Sequence, residues 1–225
     1  MKLAILPVTP YQQNCSLVVC TRTNRAALVD PGGEVDRLLA AVAKSGATLE
    51  KVLVTHGHVD HCGGAAEVAQ RAGVPIEGPH REDAFWIDQL GRQGASFGVP
   101  DARAFTPDRW LGHGDVATVG EIAFDVLHCP GHTPGHVVFA SRERGIAFVG
   151  DVLFAGSIGR TDFPRGDFDT LIRSITGRLW PLGDDVQFVP GHGPMSTFGD
   201  ERRTNPFVGD EALGRAHPRS PVEDG

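Results

Sequence analysis

The sequence predicts an α/β protein built as a four-layer αββα sandwich, two mixed β-sheets face to face with helices outside both. Three observations carry that prediction. Short apolar runs are separated by turn residues drawn from 29 glycines and 16 prolines, a pattern of many short strands. Separate stretches carry apolar residues at helical spacing. The order of several strands, a helix and one further strand then occurs twice, and each final strand is followed within three residues by a histidine, His56 after Val54 and His192 after Val189.

The elements follow in order. Apolar runs at 3–6, 16–20 and 26–29 make a small antiparallel set, stopped by Asp30-Pro31-Gly32-Gly33. Val35, Leu38, Leu39 and Val42 predict a helix over 34–45, ended by Gly46. A strand at 52–55, a helix at 63–72 and a short run at 74–77 come next. The span 80–110, with Phe85, Trp86, Phe97 and Trp110, reads as helix and loop. Strands at 116–119, 122–127, 137–140 and 146–149, a helix at 167–179 and a strand at 186–189 complete the second half. The halves meet at shared chemistry, so one domain is expected over 1–207. Residues 208–225 are polar, carry Pro218 and Pro221, and predict a poorly ordered tail.

A net charge of −7 argues against nucleic acid or an anionic membrane as main partner, since phosphate binding needs a basic face. The apolar patch at 3–6 is too short for a signal-peptide core and no run reaches the length of a membrane span, so a soluble cytoplasmic protein is expected. Cys15, Cys20, Cys62 and Cys129 form no C-x-x-C pair and read as reduced thiols.

The chemistry concentrates in Thr55-His56-Gly57-His58-Val59-Asp60-His61, where three imidazoles and a carboxylate fall within six residues. Three later places add the same donor types: His132 in a Gly/Pro turn, Asp151 in Val149-Gly150-Asp151, and His192 in Pro190-Gly191-His192-Gly193. Imidazole nitrogen and carboxylate oxygen suit a divalent metal such as zinc, iron or manganese. Taken singly, the later three would be caps or turn residues; their company makes them candidate ligands. His136 is either a strand-start residue or one that supports a ligand. Asp30 either hydrogen-bonds a ligating imidazole or simply forms its turn. Cys62 reads as a small buried hydrophobe, because its side chain should diverge from that of His61. His80, His113, His128 and His217 have no constellation around them.

The H-x-H-x-D-H run at 56–61, the later His132, Gly150-Asp151 and Gly191-His192 resemble the metallo-β-lactamase superfamily along nearly the whole chain. Asp151 stands where true zinc β-lactamases carry cysteine or serine, which disfavours antibiotic cleavage. The chain is more similar to glyoxalase II, the hydroxyacylglutathione hydrolases, in a short bacterial form without the carboxyl-terminal helical domain. That resemblance implies two divalent metal ions, zinc or iron with manganese as a further option. His56, His58 and His132 would hold the first, Asp60, His61 and His192 the second, and Asp151 would bridge them. It implies attack by a metal-bridging hydroxide, oriented by Asp60, on a glutathione thioester such as S-lactoylglutathione. Arg160, nine residues past Asp151, matches a basic position that contacts glutathione.

Two departures bear on the substrate. Asp162 stands where the pattern carries an aromatic residue, and the segment 201–207 either substitutes for missing glutathione contacts or is a charged helix start. The nearest rival, a mono-iron persulfide dioxygenase, resembles the chain at Gly159-Arg160-Thr161-Asp162; a hydrolase of another small thioester is the other alternative. A non-catalytic metal-binding protein on this scaffold would be expected to have lost ligands, and all seven are present.

Overall fold

Residues 1–214 are described by the computed structural model. The first sheet holds β1 (Lys2–Val8), β2 (Gln13–Cys20), β3 (Arg25–Val29), β4 (Thr48–Leu53) and β5 (Ile76–Glu77) in sequence order. The first three are antiparallel, then β3, β4 and β5 run parallel. Two helices between those strands cover the outer face, α1 (Val35–Ser45) and, after a single turn α2 (Val59–Cys62), α3 (Ala65–Ala72). α1 buries Val35, Leu38 and Val42, positions 0, 3 and 7 of one helical stripe, and Gly46 ends it in a left-handed conformation with its N–H on the Ala43 carbonyl.

The span expected as helix and loop folds into a 3₁₀ turn Arg81–Asp83 followed by α4 (Ala84–Ile87) and α5 (Leu90–Phe97). The second sheet is built from β6 (Val116–Val119), β7 (Ile122–His128), β8 (Val137–Ser141) and β9 (Ile146–Gly150). A hairpin of β10 (Leu153–Phe154) and β11 (Ser157–Ile158) follows, then α6 (Phe168–Ser174), β12 (Gln187–Pro190), β13 (Ser196–Thr197) and α7 (Phe198–Thr204). The strand order is β13-β12-β9-β8-β7-β6, with β12 parallel to β9.

Three apolar layers confirm the expected sandwich. One joins α1 and α3 to the first sheet through Leu38, Val68 and Leu28, and another joins α6 and α7 to the second through Leu171, Phe198 and Phe188. Between the sheets lie Val18, Leu53, Phe124, Phe139 and Phe148. Each such side chain, when fully buried, contributes roughly 1.5–3 kcal/mol.

The structure departs from the expected element bounds where tertiary packing overrides local pattern. The helix expected at 63–72 is present as α3 but begins two residues later, and Gly63 and Gly64 ahead of it press against Val59, Gly32 and Pro31, approaches that a Cβ would block. The helix expected at 167–179 is α for one half and a π-helical turn, Ile175–Leu179, for the other. Residues 201–204 of the charged segment are the end of α7 and not a helix start, since α7 begins earlier, capped by the Thr197 side chain on the Asp200 N–H, and 205–207 follow it as a turn. The tail expected from residue 208 does not begin there: Val208 is fully buried against the second sheet's outer layer and Arg202 pairs with Asp210 at 3.3 Å. The rest of that expected tail, 215–225, and His217 lie outside the described residues. No described helix is long and apolar enough to cross a membrane.

The topology places the chemistry. Because β3 and β4 are parallel, their carboxyl ends lie side by side and bring Asp30 to Thr55, whose N–H and hydroxyl both donate to its carboxylate at 2.7 and 2.6 Å. The parallel pair β9 and β12 does the same for Asp151 and the Gly191 turn, joined by Gly191 N–H to Gly150 carbonyl at 2.7 Å.

Candidate active site

All seven candidate ligands converge on one end of the two sheets, and these atoms fall into a His56, His58, His132 group and an Asp60, His61, His192 group with Asp151 between. The local chain path explains the first motif. His58 precedes α2 in extended backbone, two residues after His56, and the turn of α2 then carries Asp60 and His61 round to the second group.

In the first group, His56 Nε2 and His132 Nε2 lie 3.1 and 3.0 Å from His58 Nδ1. The far nitrogens decide which lone pairs face inward. His132 Nδ1 is 2.7 Å from the Arg160 carbonyl, which can only accept, so Nδ1 carries the proton. His56 Nδ1 lies 3.0 Å from Thr55 Oγ1, whose own hydrogen is committed to Asp30, so it donates too. Burial holds these rings neutral, His56 well below its ordinary pKa, His58 pushed down to about 3, and His132 also lowered. A proton on His58 Nδ1 can satisfy only one of the two lone pairs facing it, whereas one cation serves all three. The spacing is close to that of two nitrogens each ~2.0–2.1 Å from a tetrahedral ion.

The second group is acid-rich. His61 donates Nδ1–H to Asp30 Oδ2 at 2.9 Å and aims Nε2 at Asp151 Oδ1, 3.2 Å away; both of those inward atoms lack a hydrogen-bond partner. His192 donates Nδ1–H to the Tyr11 carbonyl at 3.1 Å and places Nε2 3.1 Å from Asp60 Oδ2. Burial disfavours a charged His61, yet the Asp151 and Asp60 carboxylates hold its pKa well above the ordinary value. His192 is raised by Asp60 and Asp151 against its own burial. Asp151 spans the two groups: its Oδ2 is 3.6 Å from His132 Nε2 and 3.7 Å from His192 Nε2. Burial would raise its carboxyl, but His61, His132 and His192 outweigh burial and hold it far below the usual range. Orphaned buried donors and acceptors, and carboxylates that demand positive charge, fit a pair of divalent ions.

Three residues left open by the sequence take definite places. Asp30, at φ 53, uses both carboxylate oxygens as acceptors for Thr55 and His61, so it orients a ring. His136 stacks on His56 with centroids 4.5 Å apart and accepts the Asp151 backbone N–H at 3.1 Å. Cys62 is fully buried, its Sγ on the His58 carbonyl at 3.3 Å, consistent with a packing role.

Two further residues escaped sequence reading. Asn14 reaches across the sheets to hold the His192 turn, donating to the Pro190 and Gly193 carbonyls at 3.0 and 2.9 Å. Asp83, fully buried, accepts from Gly57 N–H and Thr133 Oγ1 at 2.8 Å each and from Gly135 N–H at 2.6 Å. Burial pushes its carboxyl up to about 6 against the pull of those three donors. Since the folded pKa lies above the unfolded one, stability falls as pH rises between them, and the ionised group costs about 3 kcal/mol above that window. Its only sequence signal is a carboxylate in a span read as helix and loop.

A cavity of about 600 Å³ opens over the site, walled by Tyr11, Trp86, Phe97, Phe154 and Phe163. Arg160 is the cation on its lining, and its guanidinium stacks 4.6 Å over Phe163 while pairing with both Asp162 oxygens at 2.9 and 2.7 Å.

A family model described as the metallo-beta-lactamase superfamily matches residues 8–192. The chain belongs to the metallo-beta-lactamase superfamily. Within it, the chain is 48% identical over 209 residues to hydroxyacylglutathione hydrolase GloC of Haemophilus influenzae, covering 92% of this chain and 98% of that protein. That likeness places it with the glyoxalase II-like members of the superfamily. Among solved structures, the BLEG-1 B3 metallo-beta-lactamase matches at TM-score 0.84 and 32% identity, over 92% of this chain and 99% of that one. TTHA1623 in a di-iron-bound form matches at TM-score 0.83 and 36% identity, over 91% of this chain and all of that one, 100%.

Proposed function

We propose that this superfamily member is a dinuclear metal-dependent hydrolase that cleaves glutathione thioesters such as S-lactoylglutathione to a hydroxy acid and glutathione. The observation that carries the reading is Asp151, whose two oxygens face both histidine groups at 3.2–3.7 Å, the arrangement of a carboxylate shared by two ions. His56, His58 and His132 would hold one ion, and Asp60, His61 and His192 the other. The likeness to GloC supports the substrate class, and the di-iron-bound relative supports two ions of zinc or iron type.

Two divalent ions bound there would supply Lewis-acid polarisation of the thioester carbonyl and an acidified water. The chain does the rest. Aromatic walls exclude bulk water from the acyl group, Asp60 on the cavity side orients the attacking water, and Asp30 and His136 fix a ligand ring and the Asp151 backbone. The departing thiolate is stable enough to leave without a general acid.

The test runs three assays with metal analysis on one preparation. Hydrolysis of S-lactoylglutathione with two zinc or iron per chain, no oxygen uptake with glutathione persulfide and no opening of a β-lactam is the expected result. An inert thioester with oxygen uptake and a single iron would replace this reading by the persulfide dioxygenase.

Metal loading should depend on pH in two stages. His56, His58 and His132 are neutral rings at mildly acidic pH, each with one N–H, so the first ion displaces no proton. His61 and His192 have raised pKa values, so the second ion must displace up to two protons and binds more weakly as pH falls. Dialysis at pH 8 should leave about two equivalents and at pH 5.5 about one; simultaneous loss of both would contradict the assignment.

Arg160→Ala should raise KM for glutathione thioesters about two- to fivefold with little change in kcat, because Arg160 binds a non-reacting carboxylate and already shares its charge with Asp162. An unchanged KM removes Arg160 from the site.

A further inference from the structure

We propose that Asp83 is a positioning residue that clasps the His56–His58 loop to the His132 loop and so sets the spacing of the first metal group. The inference rests on the metal reading above and concerns a residue outside every candidate ligand motif. The two loops leave different sheets, β4 of the first and β7 of the second, and their rings must nevertheless meet at 3.0 Å, His58 Nδ1 to His132 Nε2. Asp83 stands on neither. Its Oδ2 takes Gly57 N–H, from between the two histidines of the first loop, together with Thr133 Oγ1, next to His132; its Oδ1 takes Gly135 N–H.

Several features mark this as a built clasp. No Lys, Arg or His pairs with Asp83 among the described residues, so all its accepting capacity goes to the two loops. An asparagine would turn an N–H₂ toward a donor and leave at least one buried N–H or hydroxyl unmatched. Gly135 has no side chain where a Cβ would lie 2.4 Å from the Asp83 nitrogen and 2.7 Å from its Oδ1. The turn is tied from its other end as well, with His80 N–H on the Gly135 carbonyl at 3.0 Å. One turn on, Trp86 packs edge-on against the His58 ring at 4.6 Å. The same short element therefore fixes both loops and one ligand ring. A backbone bond also ties them, Val137 N–H to the Thr55 carbonyl at 2.8 Å, but it lies at the strand ends and not between the two histidines of the first loop.

The experiment is zinc competition against a chromophoric chelator, followed for each equivalent, on the wild type, Asp83→Asn and Thr133→Val, with Glu201→Gln as a control. Glu201 is an equally buried carboxylate holding α7 to the β10–β11 hairpin, so its loss tests general destabilisation. Asp83→Asn should weaken the first equivalent at least about tenfold, Thr133→Val several-fold in the same direction, and Glu201→Gln not at all. Unchanged first-equivalent affinity in a folded Asp83→Asn protein overturns the clasp; if that variant does not fold, unchanged affinity in Thr133→Val does so. A wild type that binds neither zinc nor iron overturns the metal reading itself, whereas a wild type that binds zinc without cleaving thioesters leaves the clasp standing and removes only the substrate.

Discussion

Replacing Asp60 or His192 by alanine is expected to lower kcat/KM for S-lactoylglutathione by about three orders of magnitude or more. The two side chains face each other at 3.1 Å over the cavity, and each is one of three donors for the second ion beside the shared Asp151. Losing either leaves the second ion three donors in place of four, His61, Asp151 and the remaining partner, so the ion is held more weakly and its bound water is no longer fixed from the cavity side. Both side chains are partly exposed, so neither truncation opens a core cavity, and the melting temperature of the metal-free protein should move little. The loss should fall mainly on kcat, since these groups act on the reacting water and carbonyl and leave the thiol half untouched. Activity within tenfold of wild type in either variant would mean that the second group takes no part in the reaction.

Adding a single methyl group at Gly191 is expected to be nearly as damaging. A Cβ there would sit 2.0 Å from Asp151 Oδ1 and 2.5 Å from His61 Cε1. Neither neighbour can give way cheaply. Asp151 is held by the His136 bond to its own backbone, and His61 by Asp30. The turn cannot retreat either, because Gly191 donates to Gly150 and accepts from Asn14, both at 2.7 Å. Gly191→Ala should therefore push the shared carboxylate out of line, reduce bound metal from about two equivalents to about one and lower kcat at least a hundredfold. Metal analysis and turnover on the same sample check this. Full occupancy with normal turnover would show that the Asp151 position is not critical.

The sandwich was legible because its signals are local. Turn residues, alternating runs and helical stripes such as Val35, Leu38 and Val42 each write their own element, and two copies of one order suggest two sheets. The seven candidate ligands were legible because their chemistry needs particular side chains at strand ends. What stayed illegible depends on contacts between distant segments. Gly63 and Gly64 stand ahead of α3 without side chains because the Gly32 and Pro31 carbonyls arrive there. Asp83 looks like any carboxylate at a helix start until the fold brings Gly57, 26 residues before it, and Gly135, 52 after it, to its oxygens. Asn14 holds a turn 176 residues away at Pro190. Asp30 shows the boundary between the two cases: its turn was readable, and its bond to His61 needed the parallel pairing of β3 and β4. Val208 read as tail because no apolar periodicity surrounds it, yet its buried side chain, with Leu213 on the same cluster and Arg202 on Asp210, docks the segment.

The most direct test of a dinuclear thioesterase is stepwise metal titration of the metal-free protein with S-lactoylglutathione hydrolysis recorded at each addition. The geometry of two histidine groups sharing Asp151 predicts that little activity accompanies the first equivalent and that turnover rises steeply through the second, then levels off. Full turnover at one equivalent, unchanged by the second, would contradict it.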